Sequence, residues 1–253
     1  MRAAVFSDVH GNLIALEAVL AGAADAGVDE YWVVGDLVAH GPHPTATIRR
    51  LMELPMARFV RGNTDRYVLT GDVSGMIPAI DTVRSAAGVQ VLVSASSAFA
   101  WTRGAITTSG GYDWLASLPI EHRVTLPDGT RVLLVHAAPG RDDGPGVQPA
   151  MTDRELLDGG LADAGAHLIF VGHTHVPLDR TVAGVRVVNV GSVSLPATAD
   201  RRAMWTLLVA DENGFTIERR FADYDIEAVT SALDNAHHPS ADWLRSKFHR
   251  SEG

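Results

Sequence analysis

Five short polar clusters carry the side chains whose types and spacing could bind metal ions. Each cluster directly follows a short apolar run, and each contains Asp, Asn or His. Carboxylate and amide oxygens, together with imidazole nitrogens, suit Mn²⁺, Fe or Zn²⁺ in proteins. The clusters are Ser7-Asp8-Val9-His10, Gly35-Asp36, Arg61-Gly62-Asn63-Thr64-Asp65, His136 and Gly172-His173-Thr174-His175.

The spacing within the clusters favours convergence of these side chains. Asp8 and His10 are two residues apart, so in extended backbone both point to the same side. The same spacing separates His173 from His175. The full set exceeds what one tetrahedral zinc takes. Two cations about 3.5–4 Å apart would need a bridging carboxylate, and Asp36 and Asp8 are the two candidates for it.

The apolar runs indicate the elements that must position these ligands. Short, continuous apolar runs are typical of buried parallel strands. Helical patterns at Leu13–Ala26 and Thr45–Leu54 alternate with them, which predicts a mainly parallel sheet covered on both faces. Ligands placed after such strands would share one sheet edge. The predicted strands are Ala3–Phe6, Tyr31–Val34, Ala57–Val60, Val132–Val135, Leu168–Val171 and Val185–Val190.

The middle of the chain is less regular. We interpret residues 71–125 as an insertion over the edge of the site, within a single domain that covers residues 1–253. Helical patterns at Asp81–Val93 and Tyr112–Leu118 flank a predicted loop at Gly104–Gly111.

The C-terminal part of the chain has a hairpin signature. Asp211-Glu212-Asn213-Gly214 separates two apolar runs and predicts a tight turn. A helix is predicted at Ile226–Leu233, and residues 237–253 are predicted to be either frayed or a last helix. The two predicted strands are Met204–Ala210 and Phe215–Phe221.

Composition excludes several classes of function. The chain of 253 residues contains no Cys, which excludes thiolate-ligated zinc and thiol catalysis. Its net charge of −9 argues against a broad basic surface for nucleic-acid polymers. No apolar stretch reaches the length of a membrane span, and the N-terminal apolar run is too short for a signal peptide. We therefore expect a cytoplasmic protein with no membrane partner.

The ordered set of five clusters resembles the calcineurin-like metallophosphoesterases. The resemblance runs from residue 5 to about residue 192 and includes Asn189-Val190-Gly191-Ser192 as the family's closing turn. The pattern is most similar to the compact bacterial and archaeal phosphodiesterases, with features of Ser/Thr phosphatases. It implies an α/β fold built as a four-layer α/β-β-α sandwich.

The resemblance also implies which residues bind metal. Two divalent cations are expected, with Mn favoured over Fe or Zn, and Asp36 would bridge them. The first cation would be held by Asp8, His10, Asp36 and His175. The second would be held by Asp36, Asn63, His136 and His173.

The third cluster departs from the family pattern. The family usually has Gly-Asn-His-Asp or Gly-Asn-His-Glu, whereas Thr64 stands at the His position here. A hydroxyl is not a comparable acid at neutral pH, so esters with acidic leaving groups would suffer least. His40 stands where Ser/Thr phosphatases have a phosphate-binding Arg, which makes it a candidate for substrate contact or leaving-group protonation. We also predict catalytic roles for Asn63 and for Arg66 as a phosphate contact.

Simpler interpretations exist for individual residues. Asp8 with His10 could cap the helix that follows, and His40 could belong to a solvated loop. Asp65 and Arg66 could form an exposed pair at a helix start.

The expected activity is hydrolysis of a small phosphoester by a metal-bridging hydroxide. A phosphodiesterase that acts on a nucleotide-like or cyclic diester is favoured, because Thr64 replaces the family's His. One alternative is a phosphomonoesterase, including a Ser/Thr protein phosphatase. Another is a non-catalytic scaffold with the same fold, as in one retromer subunit of the superfamily. The sequence does not predict the oligomeric state.

Overall fold

Two five-stranded sheets form the centre of the molecule. The computed structural model describes residues 1–77 and 82–248. The strands in this part of the chain are β1 Arg2–Phe6, β2 Glu30–Val34, β3 Ala57–Val60, β4 Glu121–Thr125, β5 Arg131–Val135, β6 Leu168–Val171, β7 Leu178–Val182, β8 Val185–Asn189, β9 Ala203–Asp211 and β10 Gly214–Ala222.

Each sheet combines three strands that pair parallel with two that pair antiparallel. The first sheet has the order β10-β9-β1-β2-β3, in which β1, β2 and β3 are parallel and the β9–β10 hairpin pairs antiparallel with β1. The second has the order β4-β5-β6-β8-β7, in which β5, β6 and β8 are parallel. The predicted parallel strands are thus divided between two sheets. The single sheet predicted from the alternation of strands and helices is therefore wrong, and the four-layer arrangement implied by the resemblance is present.

Helices cover the outer face of each sheet. None of the helices in the described ranges combines the length and hydropathy that a bilayer crossing requires. The helices are α1 Leu13–Asp25, α2 Pro44–Met52, α3 Asn63–Thr70, α4 Ala86–Thr107, α5 Gly111–Ser117, α6 Asp153–Leu156, α7 Ile226–Asn235 and α8 Ala241–Phe248, and a π-helical turn over Leu157–Leu161 continues α6.

Alternate residues of the strands are buried in different layers. In β1, Val5 faces the second sheet, while Phe6 faces the helices. Between the sheets, the rings of Trp32 and Phe170 meet edge to face with centroids 6.2 Å apart. Truncating such a fully buried aromatic side chain costs about 3–5 kcal/mol. Burial on both faces explains why these strands are continuous apolar runs and not alternating patterns. The α/β-β-α layering is confirmed.

The predicted loop at Gly104–Gly111 is wrong, because α4 continues to Thr107. Ile106 is fully buried in the helical layer, and this packing outweighs the low helix propensity of Gly104. At its other end α4 begins at Ala86, where the Ser85 hydroxyl accepts a hydrogen bond from Gly88 N. Asp81, the predicted start of this helix, lies outside the described residues.

The segment 71–125, predicted to be an insertion, contains two helices and an edge strand among its described residues. Its helices α4 and α5 pack with α2 and α3 on the first sheet, but its last residues form β4, which pairs with β5. The edge strand β7 was not predicted either. Both edge strands carry polar residues on exposed positions, which weakens the apolar signal. That residues 1–253 form one domain stays a prediction.

Candidate metal centre

The seven candidate ligands all lie just beyond the C-terminal ends of strands. The first sheet supplies four of them and the second sheet three, and the two sets meet at one edge of the sandwich. Asp8 and His10 follow β1, Asp36 follows β2, Asn63 follows β3, His136 follows β5, and His173 and His175 follow β6.

The first group of ligands comprises Asp8, His10 and His175. Nε2 of His175 lies 3.0 Å from Oδ1 of Asp8 and 3.1 Å from Nε2 of His10. A cation held about 2.0–2.2 Å from each ligand atom implies ligand atoms about 3 Å apart. These three side chains therefore have the separations expected around one divalent ion.

The second group is centred on His136. Its Nε2 lies 3.3 Å from Oδ2 of Asp36 and 3.1 Å from Oδ1 of Asn63. The same Asn63 oxygen lies 3.0 Å from Nδ1 of His173. Ligand atoms of Asp8, Asp36 and His136 lie within 4.8 Å of one another.

The two groups share carboxylates. Oδ2 of Asp36 lies 3.8 Å from Nε2 of His10 as well as close to His136, so it stands between the groups. Asp8 belongs to both groups. Either carboxylate is placed where a bridging ligand would be, as the sequence analysis left open.

Backbone carbonyl oxygens orient three of the imidazole rings. Nδ1 of His136 donates to Val34 O at 2.7 Å, and Nδ1 of His175 donates to Leu195 O at 2.7 Å. Nε2 of His173 donates to Gly144 O at 2.8 Å. A carbonyl oxygen can only accept, so these nitrogens carry the protons and the opposite nitrogens face the centre. Metal-binding histidines are commonly fixed in this way.

The oxygen atoms of the two carboxylates differ in their partners. Thr64 N donates to Oδ1 of Asp36 at 2.9 Å, and His173 N donates to Oδ2 of Asp8 at 3.1 Å. Oδ1 of Asp8 is buried and accepts no hydrogen bond from the described residues. An unsatisfied buried carboxylate oxygen is costly. A cation at this position would satisfy it, so the donor set fits a divalent metal.

Two glycines allow the carboxylates to approach the backbone closely. A Cβ atom on Gly62 would overlap Oδ1 of Asp36, and one on Gly172 would lie 2.5 Å from Oδ2 of Asp8. Any larger residue at either position would push its carboxylate away. The glycines of the third and fifth clusters are therefore part of how the site is built.

The backbone of the centre is strained. Left-handed conformations are uncommon for residues with a side chain and cost about 1–3 kcal/mol each, and they concentrate at functional sites. The surrounding fold must hold these residues in place before any ligand binds. The site residues with positive φ are Asp8 at 58°, His10 at 50°, Asp36 at 55°, His40 at 83°, His173 at 69° and His175 at 59°.

The buried charges of the centre depend on one another. Burial alone would raise the pKa of Asp36, but the nearby imidazoles of His136 and His10 hold it well below its usual range. Burial acts to lower the pKa of His136, yet the carboxylate of Asp36 raises it to about 10. A cation and the proton on His136 therefore compete for the same carboxylate.

Asp65 has a structural role that its sequence context did not predict. It is buried, so its interpretation as half of an exposed pair is wrong. Leu37 N donates to its Oδ1 at 2.9 Å and Gly62 N to its Oδ2 at 3.0 Å, which joins the loops after β2 and β3. Burial and the nearby Asp36 raise its pKa to about 7. Its position three residues after Gly62, the N-cap of α3, is a capping signal that could have identified it.

The turn after β8 supports the centre from a second direction. Nδ2 of Asn189 donates to Gly172 O at 2.8 Å and to Oγ1 of Thr174 at 2.9 Å. The Ser192 hydroxyl donates to Asp8 O at 3.1 Å. This turn, noted in the sequence only for its resemblance, therefore positions both the His173–His175 segment and the start of the first cluster.

His40 lies beside the candidate ligands. It is buried, and its ring centroid is 5.0 Å from that of His10. On its other sides, its ring centroid lies 5.4 Å from that of Phe99 in α4 and 5.6 Å from that of Trp243 in α8. The solvated-loop interpretation of His40 is wrong. Burial lowers its pKa well below the usual value, which favours the neutral imidazole.

Arg66 is engaged elsewhere. Its Nε donates to Asp142 at 2.8 Å and its Nη2 donates to Asp143 at 2.9 Å. Carboxylates thus engage two of its three guanidinium nitrogens, and its role as a phosphate contact stays a prediction. The ion pairs fasten the loop whose Gly144 carbonyl orients His173.

Comparisons with known proteins identify the family and the fold. Residues 1–212 match the family model for the calcineurin-like phosphoesterase superfamily domain. An uncharacterized protein of Methanocaldococcus jannaschii is 27% identical over an alignment of 263 positions, which covers 97% of this chain and 96% of that protein. The crystal structure of a metallophosphoesterase from Sphaerobacter thermophilus has a TM-score of 0.72 and 25% identity, with 98% of each chain covered. That of a hypothetical protein from Pyrococcus horikoshii has a TM-score of 0.78 and 19% identity, covering 100% of this chain and 99% of that one.

Proposed function

Because the chain belongs to the calcineurin-like phosphoesterase superfamily, we propose that it hydrolyses phosphodiesters of a nucleotide-like or cyclic kind with two divalent cations. The observation that carries the proposal is the meeting of two ligand groups at shared carboxylates. A scaffold without catalysis has no need of a complete ligand set. A cytoplasmic location and a small phosphoester substrate stay part of the proposal.

The proposed ligand sets follow the two groups. In these proposed sets Asp36 is shared, and Mn²⁺ is the favoured cation, because oxygen and imidazole ligands suit it. When bound, the cations would polarise the phosphoryl oxygens and supply an activated water. The first set is Asp8, His10, Asp36 and His175, and the second is Asp36, Asn63, His136 and His173.

The chain's own groups would hold the reacting parts in place. The carbonyl oxygens of Val34, Leu195 and Gly144 fix the imidazole rings, and Thr64 N fixes the Asp36 carboxylate. His40 lies next to His10 under aromatic cover, where it could contact the leaving oxygen and exclude water.

Thr64 favours diesters with acidic leaving groups. It is buried, and its hydroxyl has no hydrogen-bond partner among the described residues. A hydroxyl cannot protonate a leaving oxygen at neutral pH as an imidazolium can. Substrates whose leaving group departs as a stable anion should therefore be preferred.

The test combines metal content with a substrate panel. Purified protein should bind two equivalents of Mn²⁺ and hydrolyse bis(4-nitrophenyl) phosphate faster than 4-nitrophenyl phosphate, with cyclic nucleotides assayed beside them. Asp36→Asn should lose metal and lower kcat by at least about a thousandfold, because it weakens both ligand sets. Asp113→Asn, on the exposed face of α5, is the matched control and should change neither.

Full turnover by Asp36→Asn would refute the bridging role. A native protein that binds no metal after careful loading would support the scaffold, and faster hydrolysis of the monoester would replace the diesterase with a phosphomonoesterase.

A further inference from the structure

A cavity of about 270 Å³ opens directly beside the candidate metal centre. His175, a candidate ligand, forms part of its wall, so a group bound to the centre can extend into it. Small-molecule sites are concave and begin at about this size, about 300 Å³. The cavity is therefore large enough for the organic part of a small ester and too small for a folded chain segment.

The charged residues of the cavity are all basic. Arg201 and Lys247 line it, and no carboxylate of the described residues does. This is notable in a chain with a net charge of −9. Cations bound at the centre would already neutralise the scissile phosphate, so two more positive side chains suit a second anionic group next to it.

Aromatic side chains form the remaining recognition surface. Trp243 is 43% exposed although it lies in the wall, and Lys247 Nζ is 5.0 Å from the centroid of its ring. Tyr224 is held in place because its hydroxyl donates to Ser194 O at 3.1 Å. An exposed indole at the mouth of a basic cavity is suited to stacking with a flat heteroaromatic ring.

The helix that carries Trp243 and Lys247 lies outside the family match, which ends at residue 212. It is nevertheless fixed on the core, because Leu244 and Phe248 are buried against α7. Trp243 also contacts His40 beside the centre. The C-terminal helices therefore add a wall to a site whose candidate ligands all lie within residues 1–212, which match the family model.

We propose that this cavity binds a nucleotide whose phosphate chain has a second phosphate next to the scissile one, with the base on Trp243 and the second phosphate at Arg201 and Lys247. This inference rests on the proposed function and specifies its substrate class. It assigns Trp243 and Arg201 as specificity-determining residues.

The test is the binding of ADP, AMP and adenosine to Mn²⁺-loaded and metal-free protein, measured by titration calorimetry. ADP should bind more tightly than AMP. Trp243→Ala should weaken all three ligands by about tenfold, because each loses a base stack. Trp243→Phe should restore most of that loss. Arg201→Gln should weaken ADP by about tenfold and adenosine hardly at all.

Arg202→Gln is the matched control. Arg202 adjoins Arg201, but it pairs with Asp200 and does not line the cavity. Equal effects of the two arginine variants on ADP would overturn the proposal, and so would unchanged binding in Trp243→Ala.

Hydrolysis of bis(4-nitrophenyl) phosphate by the native protein separates this proposal from the proposed function. If the diester is hydrolysed but ADP does not bind, the cavity proposal alone is wrong. If ADP binds with the expected dependence on Trp243 and Arg201 but no phosphoester is hydrolysed, nucleotide binding stands and the catalytic function is refuted.

Discussion

His40 shows how much a single residue depends on its surroundings. In the sequence it lies in a glycine-rich and proline-containing stretch typical of a loop. In the structure it is enclosed by His10, Phe99 and Trp243, which come from three distant parts of the chain. An imidazole held beside a ligand and away from bulk water is suited to contact a leaving oxygen.

We predict that His40→Asn lowers kcat by about a hundredfold, because the imidazole N–H that contacts the leaving oxygen is lost. The loss should be larger for phenyl than for 4-nitrophenyl esters, because the oxygen of 4-nitrophenolate carries less negative charge and depends less on a hydrogen bond. Bound metal should stay at the native level, as plasma emission spectrometry can check. His43→Asn, at the start of α2, is the control. The same loss for both leaving groups would contradict a contact between His40 and the leaving oxygen.

The sequence alone was sufficient to predict that the seven candidate ligands lie close together. Each of them follows a strand, and the ends of parallel strands share one edge of a sheet. The sequence was not sufficient for Asp65 or Asn189, whose importance lies in the backbone groups that they bind across the fold. It did not predict the ion pairs of Arg66, because the carboxylates of Asp142 and Asp143 that bind this side chain are more than seventy residues away.

At the scale of elements, the C-terminal helices are fastened to α4. His238, between α7 and α8, meets the ring of Trp101 of α4 with centroids 4.8 Å apart. The hydroxyls of Ser94 and Ser240 lie 3.0 Å apart, and Ser240 also donates to Ser94 O. These contacts position α8, and with it Trp243, next to the cavity.

We predict that this attachment weakens in acid. Burial lowers the pKa of His238 from 6.5 to about 4, so the unfolded chain takes up this proton at a higher pH than the folded one. The stability that depends on the neutral ring is complete above about pH 6.5 and is lost as the pH falls toward about 4. Urea denaturation at about pH 7 and at about pH 5 measures this loss. The free energy of unfolding should fall less between these two pH values for His238→Gln than for the native protein.

His237→Gln changes the exposed neighbouring histidine and is the control for this prediction. It should show the native pH dependence. If His238→Gln also kept the native dependence, the neutral ring of His238 would not be what couples the attachment to pH.

Whether an element was predicted depended largely on how apolar its sequence is. Six strands were predicted within a residue or two, because each is a largely apolar run. The edge strands β4 and β7 lack that signal. The end of α4 was misjudged, because the packing of Ile106 and not local propensity determines it.

At the scale of the whole molecule, the candidate ligands come from both sheets. Asp8 and Asp36 follow strands of the first sheet, whereas His136 and His175 follow strands of the second. Cations bound between them would connect the sheets at the edge where the sandwich opens. Binding free energy for the folded state would then add to its stability.

We therefore expect Mn²⁺ to raise the melting temperature. At about a hundred times the dissociation constant the gain is about 2.7 kcal/mol, or about 5–10 °C for a chain of this size. Differential scanning fluorimetry with Mn²⁺ and then with excess chelator measures it. Asp36→Asn should show little of the increase, and Asp113→Asn all of it. An equal increase in Asp36→Asn would show that the ion binds elsewhere.

The pairing of β9 with β1 has a consequence for synthesis on the ribosome. Residues 2–5 of the N-terminal strand meet residues 206–209, so one side of this strand has no partner until most of the chain has been translated. At about 5–20 residues per second that interval is about 10–40 s. The nascent chain therefore exposes one edge of an apolar strand during this interval. We expect the native topology of this sheet to form only after residues 206–209 have left the ribosome.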